Sequence, residues 1–447
     1  MIYIDTSERW NKVRLSSLFF ENRTINSDFK VQRAFKFYFG SIVPKKEYEL
    51  TNDLINTYKK YVIVKHGDII INGLNLNYDF VTQRVGLARE QGIITSAYTC
   101  LRSRSNINSK YYCYLFKTID AHKMFHGLGS GIRLTLSFND IKNFQIPVPP
   151  RSEQDQIVKF LDWKVSCINK LISVKMKSVS TYTELRKAII DQGILRGFDK
   201  IEKKDSGVNW LGEIPVSWNV LPLKRVCRVN ASISDIVKAK NNSDLVTFLP
   251  MENVSETGEI DCSIKRKIAD VRNGFSSFAK GDVVVAKITP CFENGKGACL
   301  ETLDTDIGYG TTEFINLRPS NKILPKYLYM ITMTRLFRKR GEEAMTGSAG
   351  QKRVSTNYIK NFTLGIPKIE EQKNILLKIE EKIKQIDNLT KIELKSINDL
   401  KELKARIVAD AVTGKIDVRN IKIPEYEFVE ETDNIVADSE IEEGSEE

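Results

Sequence analysis

The sequence predicts a mixed α/β (α+β) protein in which two similar globular domains are separated by two long antiparallel coiled-coil helices, with a pseudo-twofold internal repeat. Three observations predict this fold class. The chain matches itself with a period of about 215 residues. Each copy begins with short β-like runs broken by Gly, Asn and Pro, and each copy ends in a long helical pattern. Because a solenoid repeat is much shorter, we interpret the repeat as a duplicated domain.

The repeat is loose at the start of each copy and strict at its end. The offset is 208 between residues 10–15 and 218–223, 214 between 67–71 and 281–285, 216 between 95–102 and 311–318, and a gapless 218 between 129–199 and 347–417. Offsets that drift and then become constant indicate variable loops followed by a rigid element.

Proline-bearing stops before the helical patterns give the domain boundaries. We expect a first globular domain at residues 1–150, a central spacer helix at 151–200, a second globular domain with its lead-in at 201–367, a C-terminal spacer helix at 368–417, and an acidic, disordered tail at 418–447. The clearest β-like runs are residues 68–71, 93–101, 282–288 and 313–317, and residues 326–340 have a helical pattern. Ser152 is expected to be the N-cap of the central helix.

Both long helices carry residues at alternating steps of three and four, the spacing of a coiled-coil seam. The seam residues are Leu161, Val165, Ile168, Ile172, Lys175, Val179, Tyr182, Arg186 and Ile189 in the first helix, and Ile379, Ile383, Ile386, Thr390, Glu393, Ile397, Leu400, Lys404 and Ile407 in the second. A short connector at residues 197–209 favours an antiparallel pair. Because Lys175 and Glu393 are equivalent in the repeat and lie near mid-helix, we expect these opposite charges to pair and to fix the register.

The charge distribution points to a polyanionic partner. Residues 425–447 contain eleven acidic and no basic side chains, so a chain of net charge +11 has a body of +22 at residues 1–424. So basic a body favours nucleic acid. No apolar run approaches the ~20 residues that cross a bilayer, the N-terminus lacks a signal-peptide layout, and the seven cysteines form no CxxC pair. We therefore expect a cytoplasmic protein with no membrane partner and no structural zinc.

Three segments resemble type I restriction–modification system specificity (S) subunits. Residues 129–162, which include an IPxPPxxEQ pattern, are similar to the join between a target-recognition domain and a conserved helix of that family, and Glu153-Gln154 recurs as Glu371-Gln372. Residues 210–218 resemble the lead-in to a second recognition domain, and residues 282–319 resemble a recognition domain itself. The resemblance covers nearly the whole chain except the acidic tail.

The resemblance implies a DNA specificity subunit without a catalytic centre. Each recognition domain would read one half of a bipartite, asymmetric site in double-stranded DNA. The helices would set the spacing between the halves and bind two methyltransferase subunits on their outer faces, and endonuclease/translocase subunits would join that core. S-adenosylmethionine and ATP would be used by those partners, so this chain itself is expected to hold no cofactor, no metal and no catalytic residue.

Candidate DNA contacts are side chains whose hydrogen-bonding groups suit guanine or adenine edges or phosphates. They are Gln83, Arg84, Arg102 and Arg133 in the first domain, and Lys287, Lys296, Gln351, Lys352 and Arg353 in the second.

Two other classes of function stay open on the residues alone. A DNA-modifying enzyme with unrecognised motifs is disfavoured because the chain has neither a [DN]PP[YF] tetrapeptide nor a GxxxxGK[ST] phosphate loop. His122 and His126 have the spacing of a helical zinc pair, but the HExxH glutamate is missing because position 123 is Lys. A non-DNA scaffold, whose helices only join proteins, would lack salt-sensitive and sequence-specific duplex binding.

Overall fold

The computed structural model of the chain describes residues 6–38, 40–46, 50–76, 83–104, 106–126, 128, 134–199, 201–348 and 351–429. It divides into two compact units, one formed by Met1–Lys177 with Leu394–Glu447 and the other by Ser178–Glu393. The division falls inside both long helices, so each unit contains one globular domain and a part of each helix.

The first globular domain combines an antiparallel sheet with short helices. Its elements are β1 (Asn11–Arg14), α1 (Leu15–Leu18), β2 (Phe19–Glu21), β3 (Phe35–Tyr38), β4 (Ser41–Pro44), α2 (Asn52–Tyr58), β5 (Val62–Val64), β6 (Ile69–Ile71), β7 (Val85–Leu87), β8 (Gly92–Ile94), β9 (Thr99–Ser103), α3 (Ser109–Ala121), α4 (Phe138–Ile141) and β10 (Gln145–Val148), and the long helix α5 (Arg151–Arg196) follows. The central four-stranded sheet has the order β2-β9-β6-β7, and β1 pairs with β10, β3 with β4 and β5 with β8.

The second globular domain follows the same plan after a short lead-in ladder. Its elements are β11 (Lys203–Asp205), β12 (Glu213–Pro215), β13 (Asn219–Pro222), β14 (Cys227–Val229), α6 (Ser234–Val237), β15 (Leu245–Leu249), β16 (Lys265–Lys267), α7 (Ile268–Val271), β17 (Ser276–Ala279), β18 (Val283–Ala286), β19 (Gly297–Cys299), β20 (Ile307–Gly310), β21 (Phe314–Pro319), α8 (Pro325–Met333), α9 (Arg335–Glu343), α10 (Thr356–Asn361) and β22 (Thr363–Ile366), and the long helix α11 (Ile369–Val412) follows. Its sheets have the orders β14-β21-β18-β19 and β16-β15-β20-β17, and β13 pairs with β22.

The central strands of the two domains pair in the same way. In the first domain β6 lies between β9 and β7, with Ile70 opposite Cys100 on one side and Gly86 on the other. In the second domain β18 lies between β21 and β19, with Val284 opposite Asn316 and Ala298. The duplication seen in the sequence is therefore a duplication of strand pairing.

The core of the first domain takes in both long helices. It contains Trp10 and Ile69 from the domain, Leu161 near the start of α5 and Val412 at the end of α11. The buried Tyr111 hydroxyl donates a hydrogen bond to the Val412 carbonyl at 2.9 Å. The start of α5 and the end of α11 therefore lie together in this unit.

The core of the second domain exchanges the roles of the two helices. It contains Trp218 and Val283 from the domain, Ile379 near the start of α11 and Ile194 near the end of α5. The buried Tyr327 hydroxyl donates to the Ile194 carbonyl at 3.4 Å. Because each unit joins the start of one helix to the end of the other, the two helices run antiparallel, which confirms the predicted fold class.

The burial of the long helices has steps of three and four residues. The most buried seam side chains, none more than 9% exposed, are Leu161, Ile168, Ile172, Ile379, Ile383, Ile386 and Ile397. Other large apolar side chains of the two helices are at least 45% exposed, and these are Leu171, Val174, Leu185, Leu377, Leu389, Ile392, Leu394 and Leu403. Each helix therefore has one buried seam and an outer face that is partly apolar.

A Glu-Gln pair fastens the start of α5 to the first domain. Glu153 accepts a hydrogen bond from the indole N–H of Trp10 at 3.1 Å. The Gln154 amide accepts from the backbone N–H of Asn108 at 2.8 Å and donates to the Pro149 carbonyl at 2.8 Å. Since Gln154 is 2% exposed, these bonds satisfy groups that water cannot reach.

The start of α11 is fastened in the same way. Glu371 accepts from the Trp218 indole at 2.7 Å, and the Gln372 amide accepts from Leu324 N and donates to the Pro367 carbonyl, both at 2.9 Å. The IPxPPxxEQ pattern that carries the family resemblance thus encodes the joint between domain and helix.

Three predicted boundaries differ from the structure. The run at residues 93–101 is two strands, β8 and β9, with a turn between them. The helical pattern at 326–340 is two helices, because Thr334 is extended and its side chain accepts from Phe337 N as the N-cap of α9. Helix α5 begins at Arg151, so Ser152 lies inside its first turn and is not the N-cap.

Residues 418–429, here called the C-terminal strap, lie along the first part of α5. Gln156 donates to the carbonyls of Val418 and Ile421 at 3.1 and 2.8 Å, and Ser166 Oγ accepts from Val429 N at 2.5 Å. Val418 is 1% exposed and belongs to the core of the first domain. The sequence placed the acidic tail from residue 418 onward, whereas the structure gives its first twelve residues defined contacts; residues 430–447 lie outside the described residues.

Candidate nucleic-acid interface

The second domain brings its sequence-predicted candidates together in one loop cluster, made of residues 287–296 and the described residues of 346–354. Val354 N donates to the Lys287 carbonyl at 2.9 Å, and Thr289 N donates to the Lys352 carbonyl at 3.0 Å. Ala286 N donates to the Lys296 carbonyl at 3.0 Å. Main-chain hydrogen bonds therefore join segments that are about 60 residues apart in the sequence.

The side chains of this loop cluster differ in how free they are to bind a ligand. Gln351 and Lys352 are exposed and Lys287 is half-buried. Neither Lys287 nor Lys352 forms an ion pair with any residue that the structure describes. By contrast, the Lys296 ammonium donates to the Met251 carbonyl at 3.2 Å. The cluster thus offers two lysines and one amide to a polyanion.

Arg353 is partly committed to a structural contact. Its guanidinium donates to both carboxylate oxygens of Glu313, at 3.0 and 3.1 Å, and this hydrogen bond raises the pKa of the arginine. A fork held in this bidentate geometry must be released before it can read a guanine in the same way.

In the first domain the position equivalent to Lys287 is a glycine. Leu136 N donates to the Gly73 carbonyl at 2.9 Å, as Val354 N does to Lys287 in the second domain. A Cβ on Gly73 would lie 2.2 Å from the Leu136 carbonyl oxygen, so the backbone contact leaves no space for a side chain. The two domains therefore present different groups at equivalent positions.

Arg84 is a correction to the predicted site. The prediction gave it a DNA contact, but it is 1% exposed. Its guanidinium points inward and donates to the carbonyls of Asn72, Leu74 and Asn75 at 3.2, 2.6 and 3.4 Å. It therefore cannot reach a base edge while the domain is folded in this way.

Arg102 is also held inside the domain, although a quarter of its side chain is exposed. It donates to both oxygens of the buried Asp68, at 2.8 and 2.6 Å. Arg318 does the same with Asp282 in the second domain. Arg318 was not among the residues singled out from the sequence. It is the repeat equivalent of Arg102, because the two arginines end the segments that match at an offset of 216.

The remaining first-domain candidates are Gln83 and Arg133. Gln83 is exposed, and its side chain lies so close to Gly40 that a Cβ there would be 2.7 Å from the Gln83 Oε1. Arg133 lies outside the described residues. Lys117, whose ammonium also lies near Gly40, was not singled out from the sequence because nothing marks the turn of α3 on which it lies.

A comparison with protein families decides the family of the chain. The family model described as the type I restriction modification DNA specificity domain matches residues 7–179 and again residues 215–402. Together the two matches cover most of the chain. The chain belongs to this family.

Relatives of these specificity domains are found among curated proteins. The specificity subunit of the type I restriction enzyme EcoAI from Escherichia coli is 36% identical over 194 residues, which are 43% of this chain and 32% of that subunit. The match thus spans about a third of the relative's length. The MjaVIII specificity subunit from Methanocaldococcus jannaschii is 25% identical over 378 residues, 83% of this chain and 84% of that one. The resemblance stated from the sequence is confirmed.

A solved structure shares the fold of the two specificity domains and their helices. It is titled as the structural basis underlying complex assembly and conformational transition of the type I R-M system. The TM-score is 0.64 at 15% identity, with 92% of this chain and 99% of the other covered. Among the described residues, no helix is both long enough and apolar enough to cross a membrane.

Proposed function

We propose that the chain is the DNA-reading specificity subunit of a type I restriction–modification complex, in which each recognition domain reads one half of a bipartite, asymmetric site in double-stranded DNA. The observation that carries the proposal is that the specificity-domain model matches the chain twice. Each match corresponds to a domain with its own sheet and core. The different residues at the Gly73 and Lys287 positions support two different half-sites.

The chemistry of the loop cluster suits a duplex. Lysines without a carboxylate partner bind phosphate oxygens and release the counterions that surround DNA. An exposed glutamine such as Gln351 can form two hydrogen bonds with an adenine edge in the major groove. Lys287, Gln351 and Lys352 are therefore the side chains of the second domain that we assign to DNA contact.

The long helices set the distance between the half-sites and bind two methyltransferase subunits. Support comes from their outer faces, where Leu377 and Ile392 are each 64% exposed and Val174 is 56% exposed. Apolar side chains repeated along an exposed face mark a surface that another protein covers. Endonuclease/translocase subunits join that assembly, and S-adenosylmethionine and ATP are used by the partners, so that this chain contributes recognition and no catalytic step.

Methylome sequencing of cells that carry the whole complex tests the proposal. We expect methylated adenines in an asymmetric motif with two specified halves and an unspecified spacer. A chain with Lys287→Ala and Lys352→Ala should lose recognition of one half of the motif only, together with the affinity and methylation that depend on that half. The control is Lys238→Ala, which changes an exposed lysine paired with Asp235 and should leave the motif unchanged. Methylation at a continuous motif, or none that depends on this chain, would overturn it.

Salt dependence separates DNA reading from a protein scaffold. Because residues 1–424 carry a net charge of +22, the logarithm of the binding constant of the assembled complex should fall steeply with the logarithm of salt concentration. A nearly flat dependence, or equal affinity for all duplexes, would favour a scaffold whose helices only join proteins.

A further inference from the structure

A buried arginine of the second domain holds the loop cluster from within. Arg338 on α9 is 8% exposed. Its guanidinium donates to the carbonyls of Phe292 and Gly295 at 2.9 and 3.3 Å, and lies over the rings of Phe292 and Phe337 at 4.8 and 5.8 Å. Burial lowers the pKa of Arg338 to about 10.

No carboxylate explains why a cation is buried there. Arg338 forms no ion pair with the residues that the structure describes, so its desolvation is offset by main-chain carbonyls and aromatic faces. Those carbonyls belong to a tight turn in which Gly295 N donates to the Phe292 carbonyl at 3.1 Å and Gly295 has a left-handed φ of +88°. Arg338 thus adds a second donor to the Phe292 carbonyl and supplies one to the carbonyl of the buried Gly295.

The first domain also has a buried arginine that donates to main-chain carbonyls, at a different position. Arg84 is buried, and its fork donates to the carbonyls of residues 72, 74 and 75, in the segment that follows β6. The turn held by Arg338 follows β18, which is the strand equivalent to β6. In each domain, one buried guanidinium therefore donates to carbonyls of the segment that follows the central strand.

The two arginines are not equivalent in the repeat. The residue 216 positions before Arg338 is His122, which is exposed and has its Nδ1 atom 2.8 Å from the Thr118 carbonyl. The residue of the second domain that is equivalent to Arg84 is Lys296. Asn72 N donates to the Arg84 carbonyl just as Ala286 N donates to the Lys296 carbonyl. Arg84 therefore binds carbonyls equivalent to residues 286, 288 and 289, whereas Arg338 binds those of Phe292 and Gly295 farther along the corresponding loop. The two domains thus anchor the segment after the central strand from unrelated positions and at different points.

We propose that Arg338 and Arg84 are positioning residues for DNA recognition. Each holds in place the backbone of the loop segment through which its own domain reads its half-site. The proposal rests on the proposed function. A guanidinium is suited to the role because its planar, rigid fork can bridge carbonyls several residues apart, whereas a lysine ammonium is a single flexible donor point. The effect is preorganisation: the loop is ordered before DNA arrives and does not lose that freedom on binding.

The first test needs no DNA. Amide hydrogen exchange is followed in the full chain with Arg338→Met and with Lys339→Met, which removes the same charge from an exposed position of the same helix. We expect exchange at Gly295 and Lys296 to speed up about tenfold with Arg338→Met and to stay unchanged with Lys339→Met. Unchanged protection in both variants would overturn the anchoring role.

The second test measures discrimination by the assembled complex. Binding is compared for the cognate duplex and for duplexes altered in one half-site at a time. Arg338→Met should reduce discrimination about tenfold at one half only, and Arg84→Met at the other half only. Lys339→Met and the exposed Arg89→Met are charge-matched controls. Arg338→Lys keeps the charge but supplies a single donor point, so its discrimination should fall between that of wild type and that of Arg338→Met.

The outcomes separate this proposal from the proposed function. If both arginine variants weaken both halves equally and in step with lost thermal stability, their role is structural alone and the proposal is wrong. If the wild-type complex itself shows no bipartite specificity, the proposed function fails, and so does DNA positioning, even where the exchange measurement shows that the arginines hold the loops.

Discussion

Asp68 and Asp282 occupy equivalent places in the two domains and are 2% and 1% exposed. Each receives the fork of an arginine, Arg102 or Arg318, and a backbone N–H at 2.8 Å. In both pairs the hydrogen bond to the carboxylate raises the pKa of the arginine. The carboxylates are buried and paired, so removing the arginine would leave a charge without a partner.

Arg318→Met should therefore destabilise the second domain by about 3 kcal/mol. Arg353→Met is the matched control, because it breaks a bidentate pair with Glu313 in which the arginine side chain is 41% exposed, and it should lower stability much less than Arg318→Met does. Urea unfolding followed by amide exchange in the second domain measures both. Equal losses would show that burial of the carboxylate does not decide the cost.

At the residue scale the sequence predicted side-chain chemistry but not direction. Arg84 and Arg102 were chosen because arginine suits guanine, and both turn inward to partners that are distant in the sequence. The backbones of Lys287 and Lys352 lie close together because main-chain hydrogen bonds join residues 287–289 to 352–354, which no local pattern in the sequence predicts. The recurrence of Arg102 as Arg318 was a usable signal, since a residue kept in both copies of a repeat whose loops differ is more suited to a shared structural task.

At the scale of elements, the long helices were the most predictable part. Their seam spacing is a local property of the sequence, and the apolar side chains of one seam are buried only when they pack against another seam. Three of the least exposed positions, Leu161, Ile379 and Ile386, lie on that predicted spacing. The pairing of Lys175 with Glu393 remains a prediction.

The joints at the helix starts give a second test. Gln372 is fully buried, and besides Leu324 N and the Pro367 carbonyl it binds the Lys322 carbonyl at 2.9 Å. Gln372→Leu leaves these groups without partners and should cost about 3 kcal/mol. Gln372→Glu keeps an acceptor for Leu324 N but sets a carboxylate against two carbonyls, so it should cost at least as much at pH 7. Chemical denaturation reports both, and a Gln372→Glu chain as stable as wild type would refute the assignment.

The C-terminal strap was not foreseen, because the predicted tail joined the acidic run at residues 425–447 to the apolar residues before it, among them Val418 and Ile421, which hold the strap. Ending the chain after residue 417 removes Val418 from the core together with the hydrogen bonds to Gln156 and Ser166, and should destabilise the first unit by about 3 kcal/mol. Ending it after residue 429 keeps all of these contacts and should leave stability unchanged within about 0.5 kcal/mol. Thermal unfolding of the two truncations compares them, and equal melting temperatures would show that the strap adds no stability.

At the scale of the whole molecule, the core of each domain includes the end of the long helix that belongs to the other repeat. Val412 fills the core of the first domain where Ile194 fills that of the second, and both carbonyls accept from a tyrosine. Ile194 and Val412 are equivalent in the repeat at the offset of 218, so we expect the end of α5 to fit either place.

A chain cut to residues 1–207 should consequently form a homodimer, in which Ile194 of one copy takes the place of Val412 beside Tyr111 of the other. Lys175 would then meet a second Lys175, so the dimer should be weaker than the natural helix pair. With the methyltransferase subunit, its methylation motif should become an inverted repeat of one half-site with a similar spacer. Light scattering gives the mass and methylation mapping the motif; an unchanged asymmetric motif would contradict the assignment of one domain to one half-site.

The repeated joints have a consequence for how new specificities arise. Part of the joint between a recognition domain and the helices is the same in both halves: a tryptophan meets the Glu-Gln pair, and a tyrosine meets a helix end. Other contacts, such as the ion pair of Arg335 with Asp191, differ between the halves. A gene segment between residues 10 and 149, or 218 and 367, could therefore be exchanged by recombination as a cassette. The shared joints would hold the incoming domain, so that variation in the DNA sequence that is read would be largely uncoupled from the assembly that acts on it.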